Sequence, residues 1–185
     1  DPNVRKVVEP SGRSSGKTTT NETYMITKML QSPRNNCWYC RAEKNDIRSS
    51  IFSSFIGTAT MMGVDQYFKT SLNPAEIVCT RTGARCYFGA VNGKTIDDLN
   101  ATKGFSPWNK HIAVYCLDEA NEVKSPDHIR AAEATAAKFL NDDGKIIYSY
   151  NPPPVRTHWA HGYFQTEIDN GATRIKTTYN DIREL

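Results

Sequence analysis

With 185 residues, 23 Lys and Arg against 20 Asp and Glu, and a formal net charge of +3, the chain is sized for one domain with some decoration and is long enough to bury a proper core. That charge does not by itself announce nucleic-acid binding, although it leaves room for a local basic patch, and it lacks the high net charge of disordered chains. The longest clean apolar run, residues 112–117, falls far short of the roughly 20 residues that a transmembrane helix needs, no secretory signal pattern opens the chain, and a start on Asp1-Pro2 in place of Met suggests a fragment.

Val4-Arg5-Lys6-Val7-Val8 reads as a short strand running into a turn-rich loop over residues 9–16. A helix is predicted over residues 18–30, where Met25, Ile26, Met29 and Leu30 recur at helical spacing and Pro33 closes it. Residues 36–41 form a second strand, and residues 44–62 a second helix with Ile47, Ile51, Phe55 and Ile56 on one face. The pair Cys37 and Cys40 is a CxxC, but no second CxxC or closely spaced His pair follows at ligand spacing, so alternation along a strand is its better account. The five cysteines are odd in number and scattered through apolar segments, which points to free thiols in a reducing compartment. Residues 76–80 and 84–90 read as a hairpin around Thr82-Gly83, and residues 91–110 as loop. Residues 111–117 are nearly continuously apolar, the pattern of a strand buried on both faces. A helix is expected over residues 126–140 and a strand over residues 145–150, ended by Pro152-Pro153-Pro154, with a last strand near residues 173–178. His158 and His161 are close enough to share a metal, but no adjacent acidic or Cys ligand completes a set. Strands alternating with helices imply a mostly parallel sheet, whose ligands bind at the carboxyl ends of its strands.

Three segments carry chemistry, and each follows a predicted strand. Ser11-Gly12-Arg13-Ser14-Ser15-Gly16-Lys17-Thr18 matches the phosphate-loop pattern G-x-x-x-x-G-K-[ST] except that Ser11 replaces the first glycine. Small residues let successive backbone N–H groups converge on phosphate oxygens, and the helix that follows adds its N-terminal donors. Lys17 would reach the β- and γ-phosphates, the Thr18 hydroxyl would bind Mg²⁺, and Arg13 would stabilise charge on the transferred phosphoryl group. In Val114-Tyr115-Cys116-Leu117-Asp118-Glu119-Ala120 an apolar strand ends in two acids: Asp118 would hold Mg²⁺ through water, and Glu119 would orient and polarise the attacking water. In Tyr148-Ser149-Tyr150-Asn151-Pro152 the Asn151 amide at a strand tip would contact the γ-phosphate and report whether ATP or ADP is bound. Taken singly, each segment also fits a plainer description: a Ser/Gly turn with a surface arginine, a pair of solvated acids, and an Asn-Pro turn. Together, the phosphate loop and the acidic strand end support one another.

These residues resemble the ATPase domain of the large terminase subunit of tailed bacteriophages. The family loop commonly reads Gly-Gly-Arg-Gly-Ser-Gly-Lys-Ser/Thr; residues 11–18 depart from it at Ser11 and Ser14 and keep the in-loop arginine as Arg13. Asp118-Glu119-Ala120 matches the family's acidic motif and Ser149-Tyr150-Asn151-Pro152 resembles its ATPase-coupling motif. Cys40-Arg41-Ala42-Glu43, His158-Trp159 and Thr177-Thr178-Tyr179 resemble the second strand, a following loop and the stretch near the domain's end. The resemblance implies an α/β fold, a P-loop NTPase of the ASCE type with a central, mostly parallel β-sheet flanked by helices. It implies one ATPase domain over residues 1–185, with a nucleotide-binding core to about residue 150, a lid or linker region beyond it, and no C-terminal nuclease domain. The activity implied is ATP hydrolysis, with Mg²⁺, driving double-stranded DNA into a capsid. Implied partners are other copies in a ring, usually of five, the portal protein and the small terminase subunit, with no membrane. The implied location is the host cytoplasm, at the procapsid portal. By the same resemblance, residues 11–18 and Asn151 bind nucleotide, Thr18 and Asp118 hold the metal, and Glu119, Lys17 and Arg13 act in catalysis. A neighbouring subunit supplies an arginine, for which Arg34, Arg41 and Arg48 are unranked candidates.

Two other classes remain open at the level of sequence. A helicase- or recombinase-like ATPase fragment would share Asp118-Glu119-Ala120, although Asn121 stands where a DEAD-box protein has its last Asp. A GTPase is disfavoured, because Asn109-Lys110-His111-Ile112 lacks the Asp of the base-reading motif. A docking module that binds nucleotide without turning it over would not depend on Glu119.

Overall fold

In the computed structural model the described residues are 5–45, 47–92 and 105–177. Val4, the greater part of the expected 91–110 loop, Thr178 and Tyr179 lie outside them, as does the side chain of Arg48. Chain order is β1 (Lys6–Pro10), α1 (Lys17–Gln31), β2 (Cys37–Arg41), a π-helix (Ile47–Phe52) running into α2 (Ser53–Met61), β3 (Phe68–Leu72), β4 (Ala75–Cys79), β5 (Arg85–Ala90), β6 (Ile112–Leu117), α3 (Pro126–Ala137), β7 (Leu140–Tyr150), α4 (Trp159–Asp169) and β8 (Thr173–Arg174). The strands form one sheet in the order β3-β4-β5-β2-β6-β7-β1-β8. Pairing is antiparallel between β3 and β4 and between β4 and β5, and parallel from β5 through β8.

Every residue of β6 is buried, as its unbroken apolar run requires of a strand covered on both faces. One face packs Cys37, Tyr39, Val114, Cys116 and Ile147 against Met25, Ile26 and Met29 of α1, Phe55 and Ala59 of α2, and Ile51 of the π-helix. The other packs Trp38, Cys40, Tyr115, Leu117 and Tyr148 against Ile129, Ala132 and Ala136 of α3 and Ala160, Tyr163 and Phe164 of α4. Cys37 and Cys40 therefore point to opposite faces, as residues three apart on a strand must. All five cysteines are buried and free.

The parallel core matches the sequence reading, and the differences lie at its margins. The expected 44–62 helix opens as a π-helix, a distortion frequent at functional sites. β3 has no counterpart among the expected elements: its Lys69-Thr70-Ser71 centre is polar because an edge strand has little to bury. The 126–140 helix stops at Ala137, and β7 begins at Leu140, not Lys145, because Leu140 pairs with Ile112. α4 is likewise an addition: its short apolar stripe of Ala160, Tyr163 and Phe164 follows three prolines, and the His158 ring at its start accepts from the Ala160 N–H at 3.2 Å. The last strand is two residues long, though the Ile175 N–H still donates to the Val8 carbonyl at 2.9 Å.

Candidate active site

Three adjacent strands, β6, β7 and β1, end on the same edge of the sheet, and their ends bring together residues far apart in the chain. Beyond β1 the loop turns through left-handed backbone at Ser14 (φ 56°) and Gly16 (φ 75°) before α1 begins at Lys17. Gly16 meets that conformation without a Cβ penalty. Ser14 to Thr19 line a concavity of about 370 Å³ at the helix N-terminus, where backbone N–H groups favour an anion. The Lys17 ammonium donates to the carbonyls of Ser11 (2.8 Å) and Gly12 (2.9 Å), to Ser15 Oγ (3.3 Å) and to Asn151 Oδ1 (3.1 Å). It thus joins the loop after β1 to the tip of β7.

Beside this loop, Thr18, Arg41, Asp118 and Glu119 line one cleft of about 510 Å³ together with Ser49, Ser50, Ser53 and Ser54 of the π-helix and α2. Arg41, at the tip of β2 beside β6, places its guanidinium on both acids: Nε lies 3.6 Å from Asp118 Oδ2, and Nη2 pairs with Glu119 Oε2. Glu119 occupies the left-handed region (φ 50°), an uncommon conformation for a residue with a Cβ, where the chain turns off the strand. Burial raises the Asp118 carboxyl above its usual range; Arg41 opposes that shift, Glu119 adds to it and the neighbouring Ser149 hydroxyl eases it. Burial also raises the Glu9 carboxyl, against the hydrogen bond from Asn21 at 2.7 Å and the charge of Lys17. The Lys17 ammonium is pushed down by burial, partly offset by Asp118, Glu9 and Glu119. Both signs of charge are desolvated here, an arrangement common at binding and catalytic sites. The Thr18 hydroxyl and the Asp118 carboxylate, which line the same cleft, are oxygen donors of the kind Mg²⁺ takes, and the loop concavity fits phosphate.

Of the residues singled out in the sequence, Ser11, Gly12, Ser15, Lys17 and Asn151 meet around one ammonium, and Thr18, Asp118 and Glu119 share the adjoining cleft. Arg13 stands exposed at the loop tip, and it is Arg41 that touches the acids. The sequence offers Arg41 only as an arginine for a neighbour; its engagement within this chain depends on β2 lying beside β6, which strand order alone decides. Arg34 donates to His111 Nε2 at 3.1 Å, ahead of β2 and β6 and so at the opposite end of the sheet from the phosphate loop. Glu9 and Glu22 escape the sequence reading, although an acid at the end of an apolar strand just before a phosphate loop is a signal for Glu9. Among the described residues no group of three or more His, Cys, Asp or Glu gathers to hold a metal.

A mostly parallel sheet whose first strand runs through a phosphate loop into a helix, with acids at the tip of a nearby strand, defines the P-loop NTPase fold. The family model described as phage terminase large subunit matches residues 3–184. The chain belongs to that family. It is 24% identical over 166 residues to the large terminase subunit of Bacillus phage SPP1, covering 88% of this chain and 38% of that protein. Its fold resembles that of the large terminase of a thermophilic bacteriophage, with a TM-score of 0.74 at 18% identity, covering 99% of this chain and 43% of the other. That protein has also been solved with ADP and with ATP-γ-S. The ATPase domain of the Thermus phage P74-26 large terminase is similar as well, with a TM-score of 0.63 at 14% identity over 95% of this chain and 76% of the other. The chain thus spans about two fifths of the length of the first two of these proteins.

Proposed function

We propose that this chain is the ATP-hydrolysing motor domain of a DNA-packaging terminase, forming one ATPase domain whose residues beyond about 150 act as lid and linker. The observation that carries the reading is the convergence of Lys17, Asn151 and the loop carbonyls on one side, and of Thr18, Asp118 and Glu119 in the adjoining cleft on the other. The ADP and ATP-γ-S complexes of the thermophilic bacteriophage relative favour a nucleotide as the ligand.

In this reading residues 11–18 cradle the β- and γ-phosphates, and Lys17 leaves its intramolecular acceptors to neutralise them. Thr18 and Asp118 would hold Mg²⁺, which when bound screens the phosphate oxygens. Glu119 orients the attacking water and takes its proton; freed from Arg41, its carboxylate faces the cleft as a base. Arg13, exposed at the loop tip, is free to swing toward the transferred group. Asn151, which accepts from Lys17, would read whether a terminal phosphate is present. Turnover would be coupled to movement of double-stranded DNA through a ring of copies docked at the portal in the host cytoplasm, with DNA selected by the small terminase subunit.

Phosphate release from Mg-ATP by this chain and by Glu119→Gln, over a range of protein concentrations, tests the reading. Turnover should fall by about 10²–10⁴-fold in the variant while nucleotide still binds, and the rate per subunit should rise with concentration if a neighbour completes the site. Nucleotide binding with equal turnover in both proteins would remove Glu119 from the mechanism. Binding without turnover at any concentration would favour a docking module.

A further inference from the structure

The one departure from the phosphate-loop pattern at a glycine position is Ser11, and its side chain has a use that glycine lacks. Ser11 is 1% exposed. Its hydroxyl oxygen accepts from the Thr177 backbone N–H at 3.0 Å and lies 3.2 Å from the Thr177 hydroxyl. Its own N–H donates to the Tyr150 carbonyl at 3.2 Å, and its carbonyl takes the Lys17 ammonium at 2.8 Å. The segment that reaches it runs parallel to β1, through Val7↔Thr173, Val8↔Arg174 and the Ile175 bond to Val8. Within one residue, then, meet the tip of β7, the lysine of the phosphate loop and a segment more than 160 residues downstream.

We infer that Ser11 is a positioning residue that seats residues 175–177 against the phosphate loop and releases them when a nucleotide draws Lys17 away. The inference rests on the reading of this loop as a nucleotide site. Lys17 holds the Ser11 and Gly12 carbonyls turned toward it. Phosphate oxygens compete for the same three ammonium protons, and charge-assisted bonds to phosphate are stronger than those to neutral carbonyls. Once Lys17 leaves, the peptide that carries Ser11 is free to rotate, and hydrogen bonds at 3.0 and 3.2 Å weaken steeply with displacement. Occupancy of the loop is thereby read at Thr177 through a side chain that the glycine of the pattern cannot supply.

Amide hydrogen exchange at Thr177, with and without saturating Mg-ADP, tests this together with a separate measurement of Mg-ADP binding. In the wild type, Mg-ADP should speed exchange at Thr177 by about fivefold or more, as expected for loss of a local hydrogen bond, while the interior of α1 keeps its protection. In Ser11→Gly, which installs the residue of the general pattern, Thr177 should exchange fast in both states, with no response to Mg-ADP. Thr177→Val keeps the N–H bond and loses the hydroxyl contact, so its response should survive over a faster baseline. Unchanged or slower Thr177 exchange in a wild type that binds Mg-ADP overturns the inference and leaves the nucleotide site standing, as does an undiminished response in a Ser11→Gly protein that binds it. Failure of the wild type to bind Mg-ADP removes both.

Discussion

Glu22 shows how much a single buried side chain can set. It lies on α1 one turn beyond Thr18, fully buried, and accepts hydrogen bonds from Ser54 (3.0 Å) and Thr58 of α2 and from Tyr39 of β2 (3.4 Å). Burial raises its carboxyl from near 4.5 to about 7, with the Thr58, Ser54 and Tyr39 hydroxyls opposing and the Asp118 charge adding. The folded state therefore binds this proton more tightly than the unfolded chain, so Glu22 favours folding most below about pH 4.5 and progressively less as pH rises to about 7. Relative to Glu22→Gln, the wild type should lose roughly 2–3 kcal/mol of stability across that window. Urea denaturation of both proteins at pH 5 and pH 8 measures it; parallel pH profiles would contradict the assignment. Lys17 presents the opposite case, a half-buried cation leaning on neutral acceptors. Lys17→Ala should weaken nucleotide binding by at least about tenfold, the scale of one lost charge-assisted contact, as equilibrium binding of a fluorescent ATP analogue would show.

Among the elements, β5 is built around a missing side chain. A Cβ at Gly89 would come within 2.7 Å of Trp38 Nε1 and 3.2 Å of Cys40 Sγ on β2. The indole has little room to yield, because it stacks on Phe105 at 4.1 Å and packs against Tyr115 at 5.2 Å. Gly89→Ala should cost about 1–3 kcal/mol, the usual penalty for overfilling a packed core, together with a change in tryptophan emission. A variant as stable as the wild type would mean that Trp38 is freer than its neighbours suggest. The helices divide by local signal. α1 is legible from the regular recurrence of Met25, Ile26 and Met29, while α4 is not, because so short a stripe after a proline run carries little periodicity.

For the molecule as a whole, the helical layer formed by α3 and α4 is tied to the sheet by polar as well as apolar contacts. Lys6 of β1 reaches Glu133 of α3 at 2.7 Å and Glu167 of α4 at 2.8 Å, and Tyr148 of β7 donates to Glu133. Lys6→Met would leave two half-buried carboxylates facing each other without their cation. Since all three groups keep some access to solvent, the loss should be about 1–3 kcal/mol, below that of a fully buried pair. Chemical denaturation reads it, and Glu167→Gln, which leaves the Glu133 partner in place, should cost less. This tie stands on β1, the strand that leads into the phosphate loop, so the helices of one face are anchored to the strand that presents the site on its edge.

The sequence by itself determined the elements that bury a strong pattern and the residues that carry chemistry. The unbroken apolar run of β6 reads as a strand covered on both faces, and the loop before α1, the acids after β6 and Asn151 after β7 were named from residue type and order along the chain. Tertiary structure decided what depends on strand order and on distant contacts. Arg41 meets Asp118 and Glu119 because β2 lies beside β6, and no local pattern encodes that adjacency. β3 escapes notice because an edge strand has little to bury, and the burial that raises the Glu22 carboxyl comes from α2 and β2, not from its own helix. The mismatch at Ser11 has the same origin. In sequence it is a missing glycine, and it becomes a contact only when residues 173–177 are laid along β1 and bring Thr177 to its hydroxyl. Local periodicity specifies elements, whereas long-range packing chooses their neighbours, and the partners of a charged or polar side chain are set by those neighbours.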